Sequence, residues 1–331
     1  MKNLIPSTLL IVALASCGSD PDPLATPDSA APAAPQKEAT RVPKFDRDSA
    51  YAYIEKQVSF GPRVVNSEAH RNAKEWLVGK FETFGAEVTE QDFRATAYDG
   101  TELEATNIIA RYRPELEDRI LLAAHWDTRP FADSPLEDDP SAVVNGADDG
   151  GSGVGVLLEI ARQLGLQTPD IGVDIVLLDA EDYGESGGGS SNSWALGAQH
   201  YSRNIPSPKP RFGILLDMVG ARDANFAVEG YSEKYALDIV RKVWRLADGM
   251  GYGSYFVNER GGAVLDDHYF LNTIGSIPTI DIINHRKDTE TGFVAHWHTG
   301  DDNMDVIDIR SLKAVGQVVL AVVFREADGT L

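Results

Sequence analysis

The run Val173-Asp174-Ile175-Val176-Leu177-Leu178-Asp179-Ala180-Glu181-Asp182-Tyr183-Gly184 constrains this chain more than any other stretch. Its first half is nearly continuous apolar sequence, short enough for a strand buried on both faces of a parallel sheet. It ends in Asp179, Glu181 and Asp182, followed by a glycine turn. Open α/β sheets keep their sites at the carboxyl ends of strands, which is where this run delivers its acids. Neighbouring carboxylates repel each other unless a cation lies among them or one stays protonated. A solvated strand-end turn has the same composition, so the rest of the chain must decide.

Two further apolar runs end in the same way. Ile120-Leu121-Leu122-Ala123-Ala124 leads into His125-Trp126-Asp127, and Phe212-Gly213-Ile214-Leu215-Leu216 leads into Asp217. Asp149 sits in the glycine-rich turn 145–153 before an apolar helix, Val154 to Leu164, and His298 lies in a late loop. Each is mundane alone: a single histidine is usually surface or satisfied core, and aspartate is ordinary in glycine-rich turns. Together they form a set of imidazoles and carboxylates at strand ends, which suits Zn²⁺ without cysteine. On the residues alone, the chain reads as a hydrolytic or acyl-transfer zinc enzyme.

Helical spacing is expected from Asp46 through Tyr51, Ile54 and Val58, then again from a cap at Asn66 to about Gly85. Strands are expected over Glu87–Phe93, Ala105–Arg113 and Ile277–Ile283. Helices are expected from near Trp194, over Glu233–Asp248, after Asp266-Asp267-His268, and over Ile309–Phe324. Strands alternating with helices imply a mostly parallel α/β sheet in a single domain spanning 45–331.

The front end belongs to a different class. Lys2 and the apolar run Leu9–Leu14 lead to Leu14-Ala15-Ser16-Cys17, which resembles a bacterial lipobox; residues 1–16 read as a lipoprotein signal peptide. Cys17 is the only cysteine, so it has no intrachain disulfide partner, and its position fits a lipidated amino terminus. Gly18 after it resembles the pattern for outer-membrane delivery, so the protein is expected to be exported and to face the periplasm. Residues 17–44, rich in Ala, Pro, Asp and Ser, read as a disordered tether. Charges balance over 1–44, so the formal net charge of −21 lies wholly in the domain. That acidity argues against nucleic acid or anionic lipid as a partner of the domain, leaving the membrane contact to the anchor.

His125-x-Asp127, Asp149-Gly-Gly-Ser152-Gly153, Glu181-Asp182, Asp217 and His298-Thr299 together resemble the M28 metallopeptidase family of zinc aminopeptidases. They resemble still more closely its glutaminyl cyclase branch, particularly the bacterial cyclases similar to the animal enzymes. The likeness runs from Phe60-Gly-Pro-Arg63 to Trp297-His298-Thr299 and Asp302-Asn303. It implies a three-layer sandwich with helices on both faces of a mixed, mostly parallel sheet. In the aminopeptidases, Asp149 would bridge two zincs, His125 and Asp217 holding one, Asp182 and His298 the other. Glu181 would be the general base and Asp127 the carboxylate orienting His125. In the cyclases one zinc suffices, on Asp149, Asp182 and His298. Animal cyclases carry Glu where this chain has Asp182, whose shorter side chain is similar to bacterial cyclases.

Three positions favour the cyclase branch. Asp266 stands where aminopeptidases commonly have Ser before Asp-His, Trp297 directly precedes His298, and Phe293 lies four residues before Trp297. Phe293, Trp297 and Trp194 would wall the substrate pocket, although buried aromatics also serve simply as packing. The implied reaction converts the amino-terminal Gln of peptides or proteins to pyroglutamate and ammonia, with Glu181 as proton shuttle and Asp217 and Asp266 bonded to it. Two competitors are an aminopeptidase with two zincs and, from another class, a lipid-anchored binding protein without catalysis.

Overall fold

Every residue of the three apolar runs is buried, and each forms a strand of one sheet. The computed structural model describes residues 41–187 and 190–331. The expected signal peptide, Cys17 and the tether up to residue 40 lie outside the described residues. No helix among the described residues is long and apolar enough to cross a membrane.

In chain order the elements are α1 (Arg47–Val58), α2 (Glu68–Thr83), β1 (Glu87–Thr96), β2 (Glu102–Tyr112), β3 (Arg119–His125), α3 (Gly151–Leu166), β4 (Gly172–Leu178), α4 (Leu196–Arg203), β5 (Gly213–Asp217), β6 (Phe226–Val228), α5 (Gly230–Gly249), β7 (Phe256–Arg260), α6 (Asp267–Thr273), β8 (Thr279–Ile283) and α7 (Ile309–Asp328). The main sheet has the order β1-β2-β4-β3-β5-β8, and β6 pairs with β7 separately. Pairings β3–β4, β3–β5 and β5–β8 are parallel. The expected parallel sheet holds for those four strands, whereas β1–β2 and β2–β4 are antiparallel. A tight turn causes the first reversal: Ala97 N–H donates to Thr101 C=O at 2.8 Å, with Gly100 left-handed at φ 88°.

Alternate strand residues feed two cores. Ile120, Leu122, Ala124, Ile175 and Leu177 pack with α1, α3 and α7, while Leu121, Ala123, Val176 and Leu178 pack with α4 and α6. This alternation makes the three-layer sandwich, and each buried branched aliphatic side chain contributes about 1.5–3 kcal/mol. From β3 the chain crosses to β4 on one side and later to β5 on the other. That reversal opens a crevice at the carboxyl ends of these strands. At their opposite ends, Arg119 and Asp174 form a fully buried pair, Nη2 to Oδ1 at 2.7 Å.

Several boundaries differ from expectation, each for a local reason. Ser67 rather than Asn66 caps α2, its Oγ accepting the His70 N–H at 3.0 Å. Asn66 is left-handed at φ 74° and ties down β2, donating to Glu102 C=O and accepting from Glu104 N–H. α4 begins at Leu196, two residues after Trp194, because Ala195 is left-handed at φ 53°. α5 begins at Gly230 because the Glu229 carboxylate accepts the N–H groups of Tyr231 and Ser232.

Candidate active site

Strand ends β3, β4 and β5, the starts of α3 and α6 and the loop before α7 bring the eight predicted polar residues to one place. Left-handed residues turn the chain sharply there: Ala180 (φ 52°), Met218 (φ 46°) and His298 itself (φ 56°). Such conformations cost about 1–3 kcal/mol each in non-glycine residues and persist only where the surroundings enforce them. At Ala180 the turn separates Asp179, which goes inward to His70 at 2.9 Å, from Glu181 and Asp182, which open on the crevice.

Asp149 stands between two histidines. Its Oδ1 is 3.0 Å from His125 Nε2, and its Oδ2 is 3.9 Å from His298 Nε2. Asp217 Oδ1 lies 3.2 Å from His125 Nε2, and Asp182 Oδ1 lies 3.1 Å from His298 Nε2. In each of the sets His125–Asp149–Asp217 and Asp149–Asp182–His298, the donor atoms lie within 4.8 Å of one another. All five residues are buried. Among the described residues Asp182 Oδ2 has no hydrogen-bond partner, an orphaned acceptor that fits a cation ligand. The N/O donor set is one that Zn²⁺ takes.

Burial first, then the neighbouring Asp182 charge, holds the Glu181 carboxyl well above its ordinary range. Burial likewise raises Asp217 and Asp266. Burial alone would depress both histidines, but the surrounding carboxylates outweigh it, and His298 reaches about 9. Two imidazoles among this many acids leave excess negative charge for a cation to neutralise.

A cavity of about 380 Å³ opens beside this cluster, lined by Glu181, Asp217, Asp266, Trp194, Phe293 and Trp297. Asp217 bonds to His125, and Asp266 caps α6 by accepting the Asp267 N–H, so among the described residues neither makes the expected hydrogen bond to Glu181. Trp297 and Phe293 stack with ring centroids 4.8 Å apart. Trp194 lies 6.3 Å from His298 in a stacked orientation, so all three expected aromatics reach the cavity. Asp127 is 3.5 Å from His125 Nδ1, too long for a strong bond, and its oxygens instead accept the N–H groups of Glu181 and Asp182 at 3.1 Å each. It therefore fixes the backbone of the acid pair as well as facing the histidine.

Several other residues here were given no role by the sequence. Asp302 accepts the N–H groups of Asp148 and Asp149, and His296 Nε2 lies 2.9 Å from Asp148 Oδ2. These bonds cross-tie the turn carrying Asp149 to the loop carrying His298. Asp133 lies 3.0 Å from His298 Nδ1, and buried Arg129 pairs with Asp133. Arg63 donates to the carbonyls of Trp126, Asn145 and Gly146, holding the ends of the intervening loop.

Comparison with known proteins gives the same picture. The profile of Peptidase family M28 matches residues 107–323. A glutaminyl cyclase from Bacteroides thetaiotaomicron, solved with N-acetylhistamine, is 52% identical, with TM-score 0.82 over 86% of this chain and 99% of that one. A Zn-dependent exopeptidase from Parabacteroides distasonis is 49% identical, with TM-score 0.83 over 86% of this chain and 99% of that one. The glutaminyl-peptide cyclotransferase of Drosophila melanogaster is 26% identical, over 75% of this chain and 72% of its own length.

Proposed function

This chain belongs to peptidase family M28, and from that premise we propose that it is a zinc-dependent glutaminyl-peptide cyclotransferase acting on amino-terminal Gln. One observation carries the choice within the family: the Asp149–Asp182–His298 set opens on a small cavity walled by Trp194, Phe293 and Trp297, with Glu181 at its edge. Such a pocket accepts one short side chain and presents its carbonyl to the cluster. The roughly 50% identical glutaminyl cyclases support the same reading.

Asp149, Asp182 and His298 would hold the zinc. Bound there, it supplies polarisation of the substrate γ-carbonyl and stabilises the charge developing on its oxygen. The substrate's own α-amine is the nucleophile, so amine and carbonyl meet by intramolecular proximity. Its nitrogen bonds to the side-chain carboxamide carbon, Cδ, the bond from that carbon to the amide nitrogen breaks, and ammonia leaves. Glu181 takes the amine proton and returns it to the departing nitrogen. Asp217 and Asp266 border the same space and keep Glu181 in an acidic, proton-holding environment. The aromatic wall excludes water that would otherwise compete for the carbonyl.

Incubation of purified protein with a Gln-Ala peptide should yield the pyroglutamyl product and ammonia, with one zinc per chain and Leu-anilide left intact. The aminopeptidase reading is favoured by one observation, the complete His125–Asp149–Asp217 set. Two tightly held zincs with rapid release of amino-terminal Leu would establish it instead. The proposed location is the bacterial outer membrane, with the domain in the periplasm. Cys17 after Leu14-Ala15-Ser16 supports lipid anchoring, and Cys17→Ser should move active protein from the membrane to the soluble fraction.

A further inference from the structure

Arg129 is buried, yet it lines none of the donor sets described above. Its guanidinium makes a fork on Asp133, Nε to Oδ1 at 3.1 Å and Nη2 to Oδ2 at 2.5 Å. Nη1 donates to the carbonyls of Asp182 at 2.7 Å and Gly184 at 2.8 Å. Its plane lies over Trp194, with Cζ 4.8 Å from the ring centre. Asp133 carries the chain of contacts onward: its Oδ1 is 3.0 Å from His298 Nδ1, and Ser186 Oγ donates to its Oδ2 at 2.6 Å.

We infer that Arg129 and Asp133 form a positioning clamp that sets both the metal-ready tautomer of His298 and the place of the Trp194 wall. Asp133 accepts from Nδ1–H, so Nε2, which faces Asp182 and Asp149, is the nitrogen left for the metal. Without it, nothing on the Nδ1 side fixes the ring orientation that turns Nε2 to the donor set. Arg129 fixes Asp133 from behind and the Asp182 carbonyl from the side. It also presses Trp194 toward Gly184, where a β-carbon would overlap the indole ring. Lysine offers neither the fork nor the flat face, so it cannot replace Arg129. A plain loop staple would affect folding but not ligand chemistry or pocket fit separately.

The inference rests on Asp149, Asp182 and His298 being the zinc ligands, so the experiment tests that assignment alongside. Zinc affinity is read by chelator competition on wild type, Asp182→Ala, Asp133→Ala, Asp133→Asn and Arg129→Lys, with the visible spectrum of the Co²⁺-substituted forms as a second readout. Steady-state kinetics on a Gln-Ala peptide follow. Asp133→Ala should weaken zinc by about 10–100-fold and alter the Co²⁺ spectrum, the usual scale for such a partner of a ligand histidine. Asp133→Asn, whose amide oxygen still accepts from Nδ1–H, should recover most of that loss. Arg129→Lys should raise KM by roughly five- to tenfold through the displaced wall. Zinc affinity within about twofold of wild type in Asp133→Ala, or an unchanged KM in Arg129→Lys, overturns the clamp. Zinc retained unchanged by Asp182→Ala overturns the ligand assignment, and the clamp's metal role with it.

Discussion

Trp297 lies flat on His298, ring centroids 3.8 Å apart and planes within 22°. Pocket wall and candidate ligand are thus one stacked unit, extended by Phe293 and then by His285 edge-on at 5.3 Å. An aromatic pair of this kind is worth about 0.5–1.5 kcal/mol beyond its burial. Trp297→Phe should raise KM for Gln peptides by roughly 2–10-fold, and Trp297→Ala by more. Steady-state kinetics check this; an unaltered KM in Trp297→Ala would remove Trp297 from the substrate wall.

The adjacent acids Glu181 and Asp182 should separate cleanly by substitution. Glu181→Gln is expected to keep zinc and lose about 10²–10⁴ in kcat, the scale of an acid–base residue. Asp182→Ala is expected to lose the zinc itself. Metal analysis of the two purified variants beside their rates checks the assignment, and equal zinc content in both contradicts it.

Metal-free protein should lose stability as pH rises. Burial, then the charges of Asp148 and Asp149, lift Asp302 from 3.8 to about 7, so it favours the folded state at low pH and that advantage fades as pH climbs to about 7. His298, lifted from 6.5 to about 9 by its carboxylate neighbours against the pull of burial, contributes below about 6.5 and is lost through about 9. Both trends have one sign. The melting temperature of the chelated protein should fall between pH 5 and pH 9, and zinc should flatten the fall by displacing the protons. A chelated protein that melts higher at pH 9 refutes this.

At the far end of the sheet, Asp174 is the carboxylate partner of buried Arg119, and Arg111 Nε reaches the same Oδ1 at 3.1 Å. Asp174→Ala strands a buried guanidinium and should cost about 3–5 kcal/mol of unfolding free energy. Denaturant titration measures it. Because the pair is remote from the crevice, kcat per folded molecule should stay near wild type; a large kcat loss at full folding would mean the two ends are coupled.

Legibility in the sequence followed the period of the pattern. β3, β4 and β5 are buried apolar runs, so their ends and the acids and histidine placed there could be read directly, as could the single α/β domain. Asn66 and Ser67 could not be distinguished, because both are good caps and only the bond from Asn66 to β2 gives the cap to Ser67. Asp133 and Arg129 escaped notice because they lie in the long loop after β3, which has no periodicity. Their partner His298 is 165 residues away from Asp133. The second duty of Asp127 was hidden for a related reason: it accepts backbone N–H groups, which leave no residue-type signature.

The stacking of indoles around His298 gives this protein an optical signal of its own. Of five tryptophans, Trp194 and Trp297 flank that imidazole, whereas Trp76, Trp126 and Trp244 pack elsewhere, against Phe60, His70 and Phe256. A protonated imidazole withdraws electrons from an excited indole in contact with it, and an imidazole committed to a cation does so differently. Emission from the flanking pair therefore follows whether His298 is protonated or ligated, and Trp126→Phe removes the one other indole stacked on an imidazole, His70. Loading and stripping of the centre can be followed in the unlabelled protein, in real time, from its intrinsic fluorescence alone.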